Sequence, residues 1–266
     1  MRNDELKEFY NEIYIGDKNE HFLKYRNNQD VGNVHQLVYS WLEEQNLSGS
    51  YEILDFGCGE GGFLGNLNGC RNGVGLDYSS VAIETAINRY PNVQFILDDI
   101  TAISQFTNKF DVVTSFGTIE HVDDPVETLK SLSLALKDNG IMIISCPSFL
   151  NIRGVIWMTL VSLFDVPMSL SDKHFITIQD FRDYTQELDL NLIDYQSVDF
   201  DVAQGSYFEK DMSKRLNNAL RDNSMDNKYV SSLIEWVERN KKDFPVNEYS
   251  GAEMVYFIKK IRTNKS

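Results

Sequence analysis

The sequence is poor in the residues that mark several specialised classes of protein. Its 266 residues include three cysteines, Cys58, Cys70 and Cys146, an odd number without the spacing of a disulfide framework or a structural zinc site. Lysine and arginine total 25 against 40 aspartates and glutamates, a formal net charge of −15. Because so negative a chain is repelled by phosphate backbones, nucleic acid is not an expected partner.

Long hydrophobic runs are missing as well. No stretch reaches the length of a membrane span, and the first residues, MRNDELKEFYNEIY, lack the apolar core of a signal peptide. We therefore expect a cytoplasmic protein, in agreement with the few cysteines. The 42% hydrophobic content is enough to bury a full core in one domain with additions.

A glycine-rich stretch, YEILDFGCGEGGF at residues 51–63, is the most informative part of the chain. Its apolar run, glycine turn and renewed apolar pattern predict a buried strand, a tight turn and the start of a helix. Gly57, Gly59 and Gly62 have the G-x-G-x-x-G spacing that lets a backbone approach a ligand. A second strand, GVGLD, ends at Asp77, twenty positions after Gly57, where an acid can hold ribose hydroxyls. Together these features predict a cofactor that contains adenosine.

Asp55 distinguishes between two such cofactors. A carboxylate two residues before the first glycine repels a dinucleotide pyrophosphate and attracts a cationic ligand. S-adenosylmethionine carries a sulfonium and an amino group and has no phosphate, so it suits this position better than NAD. The pattern at residues 55–61 also resembles the first motif of the class I S-adenosylmethionine-dependent methyltransferases.

A second stretch strengthens this resemblance. Residues 110–115 predict a fourth strand, and the sequence FGTIEHVDDP follows it. This sequence is similar to the fourth motif of small-molecule methyltransferases, above all the ubiquinone-biosynthesis type with Glu-His before Val-x-Asp-Pro. In a doubly wound sheet the loop after this strand opens over the cofactor, so its residues are expected to face the substrate.

The order of predicted elements indicates an α/β fold. Five strands that alternate with helices favour a parallel sheet with right-handed crossovers. The resemblance implies a Rossmann-like, doubly wound sheet of seven strands, mostly parallel with an antiparallel last strand. After the strand before Gly57, the predicted strands are residues 73–77, 93–97, 110–115, 141–146, 190–198 and 253–261.

Three segments lie outside the recognisable motifs. Residues 1–48 are predicted to form a helical N-terminal lid on a methyltransferase domain of residues 49–266. Residues 151–164 form an apolar helix that either packs within its own domain, lines a hydrophobic substrate pocket or makes weak contact with a membrane surface. A helical insertion at about 200–250 departs from the ubiquinone-type pattern and is expected to form a cap or an oligomer contact, such as that of a homodimer.

The resemblance also implies a set of cofactor contacts. An acid at the end of the third strand resembles the residue that accepts the adenine amino group, and the strand alignment favours Asp99 over Asp98. A pair of helix-capping acids is the alternative interpretation. The predicted cofactor-binding residues are Asp55, Gly57, Cys58, Gly59, Asp77, Tyr78, Asp99, Ile100 and Phe116.

Histidines supply the candidate catalytic groups. Methyl transfer from a sulfonium is an in-line displacement that needs alignment, exclusion of water and, for a hydroxyl acceptor, removal of a proton. His121, in the loop after the fourth strand, is the best candidate base, and His174 is a second. A locally packed histidine and a metal ligand alongside Glu120 are alternatives for His121. Because the sequence shows no second carboxylate cluster, we predict no metal.

These observations predict an S-adenosylmethionine-dependent methyltransferase. The acceptor is expected to be a hydroxyl, or an amine, of a small or lipid-linked metabolite. Two alternatives remain open at this point. One is an NAD-dependent oxidoreductase with the same glycine spacing, and the other is a protein that binds S-adenosylmethionine without catalysis.

Overall fold

The protein is built on one central sheet. Its structure, a computed structural model, describes residues 8, 11–12, 33–45, 51–67, 72–167 and 172–261. Within these ranges seven strands pair in the order β3-β2-β1-β4-β5-β7-β6. β7 runs antiparallel to both of its neighbours, and the other pairs are parallel. The strands are β1 Glu52–Phe56, β2 Asn72–Asp77, β3 Gln94–Leu97, β4 Phe110–Phe116, β5 Leu136–Pro147, β6 Leu190–Val198 and β7 Glu253–Lys260. The predicted fold class is confirmed.

Helices connect the strands, and local capping chemistry sets where several of them begin. Asp124 caps the helix that begins with a proline at Pro125, where it accepts hydrogen bonds from two backbone N–H groups. Ser79 caps the helix that begins at Ser80, where it accepts a hydrogen bond from the Ala82 N–H. Thr177 and Asp180 form a reciprocal capping box. The helices are α1 Asn33–Glu44, α2 Gly62–Asn66, α3 Ser80–Arg89, α4 Pro125–Ala135, α5 Ile152–Phe164, α6 Ile178–Glu187, α7 Phe200–Ala203, α8 Phe208–Asp222 and α9 Val230–Asn240, with 3-10 helices at Ile100–Phe106 and Lys241–Asp243.

Both faces of the sheet are covered. On one face α1 packs against the central strands, where Trp41 stacks on Phe257 of β7 with ring centroids 4.5 Å apart. On the other face α4, α6 and the first 3-10 helix cover the sheet, and Phe181 stacks on Tyr256 at 3.8 Å. Because successive strand residues point to opposite faces and both are buried, the strands are apolar almost throughout.

A third apolar cluster joins α5 to the helical insertion. The fully buried Trp157 of α5 packs with residues of α8 and α9, among them Phe208 and Ile234. The opposite side of α5 is exposed at Val155 and Leu163, and Phe164 is exposed at the end of the helix. The predicted apolar helix therefore packs within its own chain along one side only. In the part of the chain that the structure describes, no helix is long and apolar enough to cross a membrane.

Two predicted segments differ from the observed elements or lie partly outside them. The fifth strand begins at Leu136 rather than at residue 141, because it pairs with Phe110 across an irregularity in the β4–β5 register. Of the predicted lid at residues 1–48, only residues 8, 11–12 and 33–45 lie within the described residues. Asn11 reaches the sheet edge, where its side-chain oxygen accepts a hydrogen bond from the Ser79 hydroxyl at 2.7 Å.

Candidate active site

The glycine loop between β1 and α2 has the conformation that its sequence predicts. Gly57, Gly59 and Gly61 have φ angles of 74°, 51° and 76°, a region that strongly favours glycine. A β-carbon at Gly57 would lie 2.3 Å from the Thr118 hydroxyl oxygen, so the loop after β4 approaches it closely. Gly61 is constrained as well, because a β-carbon there would collide with Phe95 of β3. Gly62, the third glycine of the predicted spacing, faces open space instead.

Asp77 joins the end of β2 to this loop. Its carboxylate accepts hydrogen bonds from the backbone N–H of Gly59 at 2.9 Å and from that of Ser79 at 2.8 Å. Burial raises the pKa of Asp77, against the opposing effect of these hydrogen bonds. The backbone N–H of Tyr78 also donates to this carboxylate, which keeps at least one lone pair that can accept from a ligand hydroxyl. The position fits the predicted contact with a ribose.

Asp55 is buried in the adjacent strand. It lies within β1, opposite Gly75 and Thr114 rather than beyond the strand end, and its side chain is almost inaccessible to solvent. The Thr114 hydroxyl donates to it at 2.7 Å. Burial, with a further contribution from the charge of Asp77, raises the pKa of Asp55 to about 7. A cationic ligand at this edge would stabilise the carboxylate form.

The remaining predicted cofactor contacts occupy different environments. A β-carbon on Gly75 would touch the buried thiol of Cys58. Burial raises the pKa of this thiol well above the usual range. Phe116 packs edge-on to Phe63 with ring centroids 4.8 Å apart. Tyr78 is half-buried directly after the second strand, and Ile100 packs partly against the core at the start of the first 3-10 helix. Their contacts with a cofactor stay predictions.

The two acids after β3 have separate local roles. One oxygen of Asp99 accepts from the backbone N–H of Thr101 at 2.8 Å and from its hydroxyl at 2.6 Å, which caps the 3-10 helix. Asp98 accepts from the Asp99 N–H at 2.9 Å. Both side chains are exposed at the carboxyl edge of the sheet. Asp99 therefore caps a helix, as the alternative interpretation predicts, and its contact with adenine stays a prediction.

His121 lies between two carboxylates in the loop after β4. Its Nε2 atom is 3.7 Å from Oε1 of Glu120, and its Nδ1 atom is 3.4 Å from Oδ1 of Asp172. The carboxylate side chains are almost inaccessible, whereas 15% of the His121 side chain is exposed. A negative charge on either carboxyl group stabilises the imidazolium that forms when the ring takes up a proton.

Glu120 extends this group of acids toward β7. The pKa of its carboxyl is raised well above the usual range by burial, and further by the charges of Glu253 and Asp172. Glu253, the first residue of β7, accepts a hydrogen bond from the Ser145 hydroxyl of β5 at 3.1 Å. Burial raises the pKa of Glu253 to about 7. The strand ends of β4, β5 and β7 thus hold several carboxyl groups next to the predicted base.

His174, the second predicted base, is tied to the same loop. Its Nε2 atom lies 2.9 Å from the carbonyl oxygen of Val122, which can only accept, so Nε2 carries the hydrogen. The backbone N–H groups of Lys173 and His174 both donate to the Glu120 carbonyl oxygen, at 2.9 and 3.1 Å. The segment that carries Asp172 is thereby held against the loop that carries His121.

Asp172 and Glu253 were not among the site residues predicted from the sequence. Glu253 could have been found, because an acid at the start of the apolar strand EMVYFI, which runs antiparallel, lies at the carboxyl edge of its neighbours. Asp172 precedes His174 by two residues, but no sequence motif marks it as a site residue. Among the described residues no three histidine, cysteine or acidic side chains form a geometry that could hold a metal ion.

The sheet order, the antiparallel β7, the glycine loop and the two acids at the ends of β1 and β2 define a class I S-adenosylmethionine-dependent methyltransferase. Comparison with known families agrees. The family model described as "Methyltransferase domain" matches residues 20–195, more than half of the chain, and the chain belongs to this family. The cofactor of the class is S-adenosylmethionine.

Individual relatives are more distant. EEF1A lysine methyltransferase 2 of Danio rerio is 31% identical over 44% of this chain and 60% of its own length. Ubiquinone biosynthesis O-methyltransferase of Coxiella burnetii is 28% identical over 40% of this chain and 48% of its own length. The chain thus spans about half the length of the curated relatives it matches. A solved S-adenosylmethionine-dependent methyltransferase from Archaeoglobus fulgidus shares the fold, with a TM-score of 0.55 at 17% identity over 91% of this chain and all of the other.

Proposed function

We propose that the protein transfers a methyl group from S-adenosylmethionine to a hydroxyl or amine of a small or lipid-linked metabolite. His121 is the base that accepts the proton of the acceptor group. The observation that carries this proposal is the position of the His121 ring between the buried carboxylates of Glu120 and Asp172. An imidazole in such a place can take up a proton and hold it as a cation that a neighbouring carboxylate stabilises.

The residues at the ends of β1 and β2 fit the cofactor. Asp77 presents carboxylate oxygens beside the glycine loop, and the loop after β4 approaches Gly57 so closely that a β-carbon there would overlap Thr118. The buried carboxyl group of Asp55 ionises most readily when a cation lies beside it. When bound, S-adenosylmethionine supplies an electrophilic methyl carbon on a positively charged sulfur.

The acceptor is expected to bind on the neighbouring strand ends, at β4, β5 and β7. The start of α5 adjoins this place, because the Asn151 side chain donates to the Gly251 carbonyl oxygen at 2.7 Å, two residues before Glu253. The exposed apolar side of α5 gives a surface along which a lipid-linked acceptor could lie. The names of the relatives support both acceptor types, since one is named for lysine and another for ubiquinone biosynthesis at oxygen.

Calorimetric titration with S-adenosylmethionine, S-adenosylhomocysteine and NAD is the first test. Micromolar binding of the first two ligands without binding of NAD is the expected result. Binding of NAD alone would replace the proposal with the oxidoreductase alternative. Binding of S-adenosylmethionine without methyl transfer to any acceptor in a screen of phenols, sugars, amines and lipid-linked precursors would favour the non-catalytic alternative.

The catalytic role is tested by His121→Asn and His174→Asn. Loss of the base in His121→Asn should lower kcat by about 100-fold or more, while the Kd for S-adenosylhomocysteine stays within about twofold. His174→Asn removes the contact with the Val122 carbonyl and should have the smaller effect on kcat and the larger effect on thermal stability. Steady-state kinetics and thermal unfolding measure both. An unchanged kcat in His121→Asn would refute the assignment of the base.

A further inference from the structure

The carboxyl group of Glu120 is held in an unusual environment. Only 3% of the residue is exposed, and its Oε2 atom has no hydrogen-bond partner among the described residues. Its Oε1 atom faces His121 and lies near Gly117, where an added β-carbon would be 3.8 Å away. A buried carboxyl oxygen without a partner destabilises the fold, so a ligand group that donates a hydrogen bond to it would relieve this destabilisation.

The charge around Glu120 is predominantly negative. Asp172 and Glu253 both act on it through their charges. Among the described residues Arg153 is the buried cation, its charge acts on Glu253, and its guanidinium donates to Asp211 at 3.1 Å. Asp211 also binds Arg215 at 2.9 Å, so these three groups carry a net charge of +1. Within the part of the chain that the structure describes, the acids Glu120, Asp172 and Glu253 thus outnumber the buried cations around them.

We propose that the methyl acceptor is an amine, captured as its ammonium ion by the carboxyl groups of Glu120 and Glu253 beside His121. This inference rests on the proposed function and names the class of acceptor that the same site takes. An ammonium group carries three N–H donors, and one of them can satisfy the buried Oε2 atom of Glu120. Its positive charge stabilises these buried acids in their ionised form.

A hydroxyl acceptor fits the same site less well. A neutral hydroxyl offers one donor and no charge, so at least one buried carboxylate would remain without compensation or would have to hold a proton. One carboxylate beside His121 is enough to orient a base, as in other acid–histidine pairs. The additional acids Glu120 and Glu253 gain a compensating charge when an ammonium ion enters.

The chemistry balances with the groups present. The bound ammonium gives one proton to His121 and becomes a neutral amine with a free electron pair. The nitrogen then forms a bond to the methyl carbon while the carbon–sulfur bond breaks, and that electron pair stays on sulfur as a neutral thioether. The product is an N-methyl ammonium ion, and the proton on His121 is released to solvent. No oxidant, reductant or metal takes part in these steps.

The test uses matched pairs of primary amines and alcohols that differ only in the terminal group, such as 2-phenylethylamine with 2-phenylethanol and long-chain alkyl amines with their alcohols. Thermal unfolding of the complex with S-adenosylhomocysteine reports acceptor binding without turnover. Methyl transfer from labelled S-adenosylmethionine, with mass analysis of the product, reports chemistry. The amines are expected to raise the unfolding temperature more than their alcohols and to be methylated at least tenfold faster.

Glu120→Gln and Glu253→Gln separate the acceptor site from the cofactor site. Each should weaken amine binding and turnover at least tenfold while the Kd for S-adenosylhomocysteine stays within twofold. Glu127→Gln is the matched control, because that carboxylate is exposed on α4 and contacts Lys130 instead. It should leave amine binding and turnover unchanged.

Four outcomes would overturn the inference. The first two are alcohols that stabilise the protein or react as well as their amines, and the absence of any amine that stabilises the protein more than its alcohol does. The other two are wild-type amine affinity in Glu120→Gln and turnover that depends on added Mg²⁺. In each case retained binding of S-adenosylmethionine would leave the proposed methyltransferase function standing. Loss of S-adenosylmethionine binding in the wild-type protein would instead refute the proposed function itself.

Discussion

Asp55 shows how a single buried acid can link cofactor binding to protonation. Its carboxyl group accepts one hydrogen bond, from Thr114, and burial keeps its pKa at about 7. In the cofactor-free protein a substantial fraction of this group is therefore protonated at neutral pH. A cation bound at the same edge favours the carboxylate, so binding should release a proton and strengthen as the pH rises from 6 to 7.5.

Asp55→Asn tests this role. The substitution keeps the shape of the side chain but removes its charge, so the Kd for S-adenosylmethionine should rise at least tenfold, about 1.4 kcal/mol. Calorimetry in buffers of different ionisation enthalpy should show proton release on binding to the wild-type protein and less in the variant. Wild-type affinity in a folded Asp55→Asn protein would contradict the assignment.

The glycines of the loop can be separated by a second pair of variants. Gly57→Ala places a β-carbon against Thr118 at a positive φ angle, so it should weaken cofactor binding at least tenfold and lower stability by about 1–2 kcal/mol. Gly62→Ala adds a methyl group to open space in a helix and should raise stability by up to about 1 kcal/mol.

Titration calorimetry and urea unfolding measure both glycine variants. Equal effects at the two positions would show that the spacing of the glycines, rather than the close approach of the loop after β4, determines the site. The two variants therefore distinguish a requirement for glycine at a particular backbone conformation from a requirement for the glycine spacing alone.

At the level of elements, α5 has two different sides. Trp157 is fully buried among α8 and α9, whereas Val155 and Leu163 lie on the exposed side. The apolar pattern of residues 151–164 alone could not distinguish these sides, because nearly every position is hydrophobic and a helical period is not visible. The helical insertion, far along the chain, decides which side is covered.

Alanine substitutions on the two sides of α5 should differ strongly. Trp157→Ala removes a large buried side chain and should lower the free energy of unfolding by about 3–5 kcal/mol. Leu163→Ala should change it by less than about 0.5 kcal/mol, because little buried contact is lost. Urea unfolding provides the measurement. A large effect of Leu163→Ala would show that this side is covered by another surface.

At the level of the whole molecule, buried acids make stability depend on pH in an unusual direction. Burial raises the pKa of Asp55 and Glu253 to about 7 and that of Glu120 well above its usual range. Between pH 4.5 and pH 7 the folded chain keeps protons that the unfolded chain has lost. Stability contributed by these groups is therefore present at low pH and is lost as the pH rises toward 7.

The double variant Asp55→Asn/Glu253→Gln tests this dependence on pH. The cofactor-free wild-type protein should lose about 2 kcal/mol or more of unfolding free energy between pH 5 and pH 7.5, and the double variant should lose clearly less. Repulsion from the net charge of −15 acts in both proteins, so the difference isolates the buried groups. Parallel pH profiles for the two proteins would refute the interpretation.

The sequence by itself determined the strands, most helix boundaries, the glycine turn and the acids Asp55 and Asp77. These features follow from local backbone preferences and from hydrophobic periodicity, which act over a few residues. They also identified the class of cofactor, since the acid and glycine spacings follow from one βαβ unit.

Tertiary structure alone decided the acceptor side of the site. Ser145 and Glu253 are 108 residues apart in the chain and meet because β7 runs antiparallel beside β5. The packing of Phe95 made Gly61, rather than Gly62, the constrained glycine. Asp172 reaches His121 because the backbone of the next residues binds the Glu120 carbonyl. No local spacing encodes these approaches, because they depend on which distant surfaces the fold brings together.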